Sequence, residues 1–398
     1  MRTKGCGAFL HEANDKYEFG VASDCNMVKN VLIVGGGIGG MSAALSMARR
    51  GVAVTLIDSD PSWRVYGAGI TITGMSLRAF DDLGVLDDIR ARGFVHDGMR
   101  PMRFDGTPLG QPMRAPEGAP PVMHGGGIMR PVLHDILSTR VRGAGIDIRL
   151  GVTVETLVQD DDGVDVTLTD GVSKRFDLVV GADGIYSKMR SMIFPDAAKP
   201  RFTDQGCWRI VADRPPQIDR AEIYFGGPLK LGMSPISQTQ MYVFLLEHVP
   251  GNPWFAPETH VQHMADLMEP FGGNVPAVRA ALGENSQIVY RPLEWLMLPD
   301  PWFKGRVILI GDAAHATTPH MASGAGLAVE DGLVLAEELA KADDVAAALG
   351  HFMTRRLERA RLVVETSVRQ GEMEIGRADR SQQTLMLATA TRALAHPY

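Results

Sequence analysis

The sequence predicts an α/β fold: a Rossmann-like parallel sheet with helices on its faces, interrupted by a sheet-based second domain and closed by a C-terminal helix. Three observations carry this expectation. A glycine-rich turn, Gly35–Gly40, joins an apolar strand, Val31–Val34, to an Ala/Leu/Met-rich helix, Met41–Arg50, and a second strand, Val52–Asp58, follows. From about residue 201 to 292 the pattern changes to short strand-like pieces broken by Pro and Gly. Beyond Arg306 the chain returns to a buried strand and long helices.

At 398 residues the chain is long enough for two domains. Its 45% hydrophobic and 22% charged residues are those of a globular protein and exclude a disordered one. A formal net charge of −7 leaves no basic footprint for nucleic acid. Cys6, Cys25 and Cys207 are too few and too scattered for a disulfide framework or a metal site. These features point to a cytoplasmic chain with no membrane and no nucleic-acid partner; whether it is a monomer or a homodimer is not read from the sequence. Val31–Ala48 is a run of eighteen uncharged residues, but the glycines inside it break any membrane-spanning helix. Residues 1–26 read as a disordered extension, with Met27 as an alternative start.

Further elements follow in order. Helical patterns cover Met75–Arg92 and Arg130–Arg142, the latter with Leu133, Ile136, Leu137 and Val141 on one face. Ile146–Leu150, Val152–Val158 and Val164–Thr169 read as antiparallel strands, with a turn at Asp161–Gly163. The 201–292 segment offers strands at Trp208–Ala212, Ala221–Phe225 and Met241–Leu246 and a helix near Val261–Met268. Residues 27–200 and 293–378 then form one discontinuous domain around it. Its second part holds the strand Val307–Ile310 and helices at Ser323–Lys341 and His351–Gly376. The tail 379–398 reads as polar and loosely held.

Gly35, Gly37 and Gly40 fit the dinucleotide fingerprint: a tight turn, room for a pyrophosphate, and close helix–strand packing. Phosphates would sit on the exposed amides of Ile38, Gly39 and Gly40 at the helix N-terminus. Asp58, at the end of the second strand, is placed to accept from ribose hydroxyls. This motif alone does not separate FAD from NAD.

Two more motifs do so by resemblance. Asp177-Leu178-Val179-Val180-Gly181-Ala182-Asp183-Gly184, running on to Arg190, resembles the "DG" motif of class A flavoprotein aromatic hydroxylases. Gly311-Asp312-Ala313-Ala314-His315, with Pro319, Gly324, Gly326, Glu330 and Asp331, resembles that family's "GD" motif. The run Pro319–Gly326 is similar to the salicylate-hydroxylase-like branch. The resemblance implies FAD as cofactor, NADH or NADPH as electron donor, and O2. It further implies hydroxylation of a small phenolic or heteroaromatic substrate through a flavin C4a-hydroperoxide. It assigns Asp312 to the ribityl chain and Arg130 to FAD contact. Asp183 and Arg190 fall to a cofactor-facing surface, and the amides of Gly324, Ala325 and Gly326 to the flavin pyrimidine edge.

From the residues alone, Asp312 is equally a turn or helix-cap aspartate, and Asp183 and Arg190 a strand-end turn closed by an ion pair. Pro319 and His320 are the candidate catalytic loop, while His315 reads as an architectural histidine. Thr71, Thr73, Arg209 and Tyr224 are the candidate substrate-pocket residues. Two departures stand out: Ala322-Ser323-Gly324-Ala325-Gly326 replaces the common Gly-Gln-Gly-x-Asn, and Ser59 follows Asp58 where many members carry Arg. Rival readings are a halogenase, a plain dehydrogenase and a non-catalytic flavin-binding protein. The halogenase Trp-x-Trp-x-Ile-Pro signature is absent from the sequence.

Overall fold

The computed structural model describes residues 27–65, 67–111 and 120–398; the expectations for residues 1–26 lie outside it. The central sheet has six strands in the order Phe303–Lys304, Val307–Leu309, Leu178–Gly181, Asn30–Val34, Ala53–Asp58, Asp147–Leu150. All neighbours pair in parallel except the first two. Val31, Leu32 and Ile33 are fully buried, as a strand covered on both faces requires. The helix Ile38–Ala48 packs on one face of the sheet beside the long helix Gly324–Lys341.

A second six-stranded sheet runs Val289–Trp295, Arg201–Asp213, Gln240–His248, Lys230–Pro235, Ala221–Phe225, Met99–Arg103. Its two faces do different work. Trp208, Ile210, Tyr224, Leu231, Met233 and Val243 point into a private core closed by Met264 and Phe271. The alternate positions, among them Cys207, Arg209 and Tyr242, turn toward the central domain, as the two-residue period of a strand dictates. Between the sheets lies a three-stranded one, Gly69–Ile72, Gly125–Met129 and Phe94–His96. A Cβ on Gly69 would come within 2.6 Å of Tyr242 and one on Gly127 within 2.4 Å of the Pro235 carbonyl. Glycine there lets the two sheets touch.

Several expectations are corrected. Met75–Arg92 is two helices, Gly74–Asp82 and Leu86–Arg92, because the chain turns at Gly84 with φ of +72°. Ile146–Leu150 does not join the antiparallel strands. As Asp147–Leu150 it pairs in parallel with Ala53–Asp58, following the helix Arg130–Gly143 that covers the sheet. Val154–Gln159, Val164–Leu168 and Ser173–Phe176 form a separate antiparallel sheet. Met99–Arg103 supplies an edge strand to the second sheet from far upstream. The tail is not loose: Arg380–Ala395 is a helix whose Ala390 and Leu394 pack against Met75, Leu327 and Val363. Arg78 and Arg359 donate to its last carbonyls, at Ala395 (2.7 Å) and Leu394 (2.8 Å), where a cation complements the helix dipole.

The long helix Gly324–Lys341 carries two fully buried carboxylates, Glu330 and Asp331. Arg356, also fully buried, donates to Glu330 (2.8 Å) and Asp331 (2.8 Å), and Arg359 donates to Glu330 (2.7 Å). Burial alone would raise the Asp331 carboxyl, but His315 and Arg356 outweigh it and hold it well below the carboxylate range. Stability from this group is therefore present above the usual Asp pKa of about 3.9 and is lost as pH falls through its depressed value. Arg356→Met leaves the carboxylates short of a cation and is expected to cost about 3–5 kcal/mol by urea denaturation at pH 7. The same variant is expected to unfold at a higher pH in acid titration.

Candidate active site

The glycine turn is shaped by contact on one side and open on the other. Gly35 has φ of +110°, and a Cβ on it would lie 2.4 Å from the Ala182 carbonyl. A Cβ on Gly40 would lie 1.9 Å from the Gly35 carbonyl. Gly37, the residue capping the helix, meets nothing within 4 Å, and no side chain caps the helix amides. Phosphate oxygens have both the space and the donors there. Asp58 accepts from the amides of Gly36 (2.7 Å) and Asp60 (2.8 Å), which pins the turn to the second strand. Trp63, unmarked in the sequence reading, closes the same corner: its indole donates to the Gly36 carbonyl at 2.9 Å.

Gly39 of this turn and Gly311 both close on Ala328, which brings Asp312 beside the turn. Arg209 and Tyr242 of the second sheet lie near Arg130 across the space between the two parts, the cleft. Asp312 stands at the start of the short helix Asp312–His315 and is open to solvent, although protein surrounds it on every side. That enclosure pushes its carboxyl up from the ordinary value, against the pull of His315 and Arg130. Among the described residues no donor hydrogen-bonds it. A carboxylate so placed suits the hydroxyls of a polyol chain. Arg130, at the first turn of its helix, lines the cleft beside Gly67, where a Cβ would lie 3.2 Å from its side chain. Enclosure and the neighbouring Arg209 guanidinium lower its pKa, with Tyr242 and Asp312 opposing.

Arg209 and Tyr242 face Arg130 from the second sheet. Arg209 Nε donates to the Tyr242 hydroxyl at 3.0 Å. Burial pushes the Tyr242 phenol up to about 12, so it keeps its proton and can donate in turn. Thr71 lies on the strand paired with Gly127, and Thr73 precedes the helix Gly74–Asp82, its hydroxyl 3.1 Å from that of Ser76. Gly324 and Ala325 are partly open, whereas Gly326 is buried, with Ser76 Oγ 2.3 Å from where its Cβ would be. Gly326 therefore serves the crossing of two helices.

Three expectations change. Tyr224 is fully buried in the private core of the second sheet, bonded to Glu222 at 3.0 Å, and is no pocket residue. Strand alternation puts it on the face opposite Arg209. Asp183 does not face the cofactor freely: it accepts from Met189 N (3.0 Å) and Ser187 Oγ (2.5 Å). Arg190 donates to the carbonyls of Ala313 (3.0 Å) and Ile185 (2.7 Å), so no direct ion pair closes this turn. Pro319 is exposed, but the His320 side chain is entirely enclosed and directed at Glu374. His315 is architectural, its ring 2.6 Å from Asp331.

A family profile described as an FAD binding domain matches residues 29–367. The chain is 32% identical over 359 residues to aurachin C monooxygenase/isomerase of Stigmatella aurantiaca, covering 86% of this chain and 89% of the relative. It is 29% identical over 365 residues to 3-hydroxybenzoate 6-hydroxylase of Polaromonas naphthalenivorans, covering 86% and 87%. Klebsiella pneumoniae HpxO, solved with FAD and uric acid, superposes with a TM-score of 0.75 over 92% of each chain at 21% identity, a likeness of fold. Among the described residues no helix is long and apolar enough to cross a membrane. Asp312→Ala is expected to weaken FAD binding about 10- to 150-fold, the range for a hydrogen bond to a charged group, as read by flavin fluorescence on reconstitution.

Proposed function

The chain belongs to the class A family of FAD-dependent aromatic hydroxylases, and we propose that it hydroxylates a small phenolic or heteroaromatic ring whose oxygen is held ionised by Arg209 and Arg130. It is an FAD-dependent monooxygenase. FAD, when bound, supplies electron transfer from NAD(P)H and activates O2 for insertion into the ring. The glycine turn would hold its pyrophosphate, Asp312 its ribityl hydroxyls, and the amides of Gly324 and Ala325 its pyrimidine edge, where a helix N-terminus favours negative charge.

The observation that carries the substrate reading is the pair of arginines facing one enclosed space, Arg209 anchored on the Tyr242 hydroxyl and its charge felt by Arg130. With Arg209 donating to the tyrosine hydroxyl, the Tyr242 hydrogen is left to point at a ligand oxygen. Two guanidinium groups and a neutral phenol favour the ionised form of a substrate hydroxyl and lower its pKa. A phenolate ring is richer in electrons, so the arrangement activates the ring without a dedicated protein base. The proton leaves to water. Close contact of the sheets at Gly69 and Gly127 limits access of bulk solvent, which would divert the oxidant to peroxide.

A panel of phenols and their methyl ethers tests this, with NAD(P)H oxidation, oxygen uptake and product mass recorded together. Phenols are expected to stimulate NAD(P)H oxidation and appear as products one oxygen heavier; their ethers are not. Peroxide alone across the panel contradicts the reading. Arg209→Met is expected to lower kcat/KM for the best phenol about 10- to 100-fold, the range for losing a charge-assisted hydrogen bond, with FAD content unchanged.

A further inference from the structure

At the opposite end of the second sheet from its Ser237–Gln240 turn lies a buried polar cluster that the site described above does not use. His320 is enclosed completely, and its Nδ1 lies 2.9 Å from the Thr318 hydroxyl. Its Nε2 has no hydrogen-bond partner and sits 3.5 Å from Glu374 Oε2, which also has none. The other Glu374 oxygen accepts from Lys230 Nζ and Gln370 Nε2, both at 2.9 Å. Gln205, 3% exposed, brings an unpartnered Oε1 to the same place. A Cβ on Gly371 would lie 2.6 Å from that oxygen and 3.2 Å from His320 Nε2, so the two converge over one glycine of the helix Val345–Ile375.

These groups belong to three parts of the molecule. His320 comes from the loop Pro319–Ser323, Glu374 and Gln370 from the long helix, and Lys230 and Gln205 from the second sheet. Lys230 pairs across Leu246 with Cys207, so it shares a face with Cys207 and Arg209. With Nδ1 accepting from Thr318, the Nε2 hydrogen is directed at Glu374 and Gln205, and one buried water among the three would satisfy them. Burial would raise the Glu374 carboxyl, but the Lys230 ammonium and His320 outweigh it and hold it at about 2, so the carboxylate is ionised.

We propose that His320 is a positioning residue acting through Glu374, and that the chain Lys230–Glu374–His320 ties the loop Pro319–Ser323 to the sheet that carries Arg209. In the arrangement proposed above, the loop would border the flavin and the sheet the substrate, so the tie would set the distance between them. This rests on the monooxygenase assignment. Two outcomes compete in the cycle. In one, NAD(P)H, a proton, O2 and Ar–H give NAD(P)+, water and Ar–OH. In the other, NAD(P)H, a proton and O2 give NAD(P)+ and H2O2. A shift of about 1 Å between the reacting groups is enough to change their balance.

The test uses the full chain reconstituted with FAD and the variants Glu374→Gln, Lys230→Met and Lys230→Arg. Glu374→Gln and Lys230→Met are expected to send most NAD(P)H to peroxide while the maximal oxidation rate stays within about threefold, because binding and reduction are left intact. Lys230→Arg is expected to restore most of the product yield, and the double variant Lys230→Met/Glu374→Gln to be no worse than either single one. Hydrogen exchange, which needs no substrate, is expected to rise about tenfold or more in both 316–323 and 201–213 in Glu374→Gln. Unchanged exchange in these segments, or unchanged product yield in both disrupting variants, overturns the proposal. In His320→Asn, loss of NAD(P)H oxidation and product together, with exchange unchanged, would make His320 a direct participant instead. If the native chain oxygenates nothing while exchange rises as expected, the monooxygenase assignment fails and the tie stands.

Discussion

The Asp331 carboxylate is the constraint on which the cleft depends. It accepts from the Gly311 amide (2.8 Å), His315 (2.6 Å) and Arg356 (2.8 Å) in a fully buried position. One group thus fixes the end of the strand Val307–Leu309, the short helix that begins with Asp312, and the long helix Val345–Ile375. An ionised buried carboxylate is tolerable only when so fully bonded, and removing any donor exposes the full desolvation cost. That is why the start of the Asp312 loop holds one geometry, although the cleft beside it is open.

Two kinds of close contact then define the space. Where backbone meets backbone, at Gly35 against Ala182 and at Gly127 against Pro235, glycine removes the side chain that would hold the elements apart. Where charge meets charge, Arg130 from the central domain and Arg209 from the second sheet share the cleft, and among the described residues Asp312 is the carboxylate that acts on Arg130. Two cations left in one enclosed space are poised for an anion. The end of the cleft at the glycine turn offers uncapped backbone amides, and the far end offers guanidinium groups.

The sequence made the parallel sheet legible because buried strands are short apolar runs and glycine turns have a fixed chemistry. Asp312 and Arg130 were marked through the family resemblance: Asp312 follows a strand that is recognisable as an apolar run, whereas the glycine-rich strand Gly125–Met129 before Arg130 carries no such signal. Contacts set by the meeting of distant segments were not legible. The edge strand Met99–Arg103 pairs with residues more than a hundred positions away, and its composition carries no trace of that partner. Lys230 and Glu374, 144 residues apart, are ordinary charges until the fold buries them. Tyr224 failed as a pocket residue because an aromatic in a strand does not declare its face. Its register with Leu231, which lies in the same private core, does. The tail helix Arg380–Ala395 was missed because only Ala390 and Leu394 are buried along it, and its anchoring comes from Arg78 and Arg359.

The central claim is that the arginine pair favours an ionised ring oxygen. The direct measurement is a spectrophotometric titration of a chromophoric phenol, such as a nitrophenol, free and bound to the FAD-loaded protein. The account predicts a bound pKa lower than the free value by about one unit or more, with most of that shift lost in Arg209→Met. A bound pKa equal to or above the free value, in a complex that still forms, would contradict it.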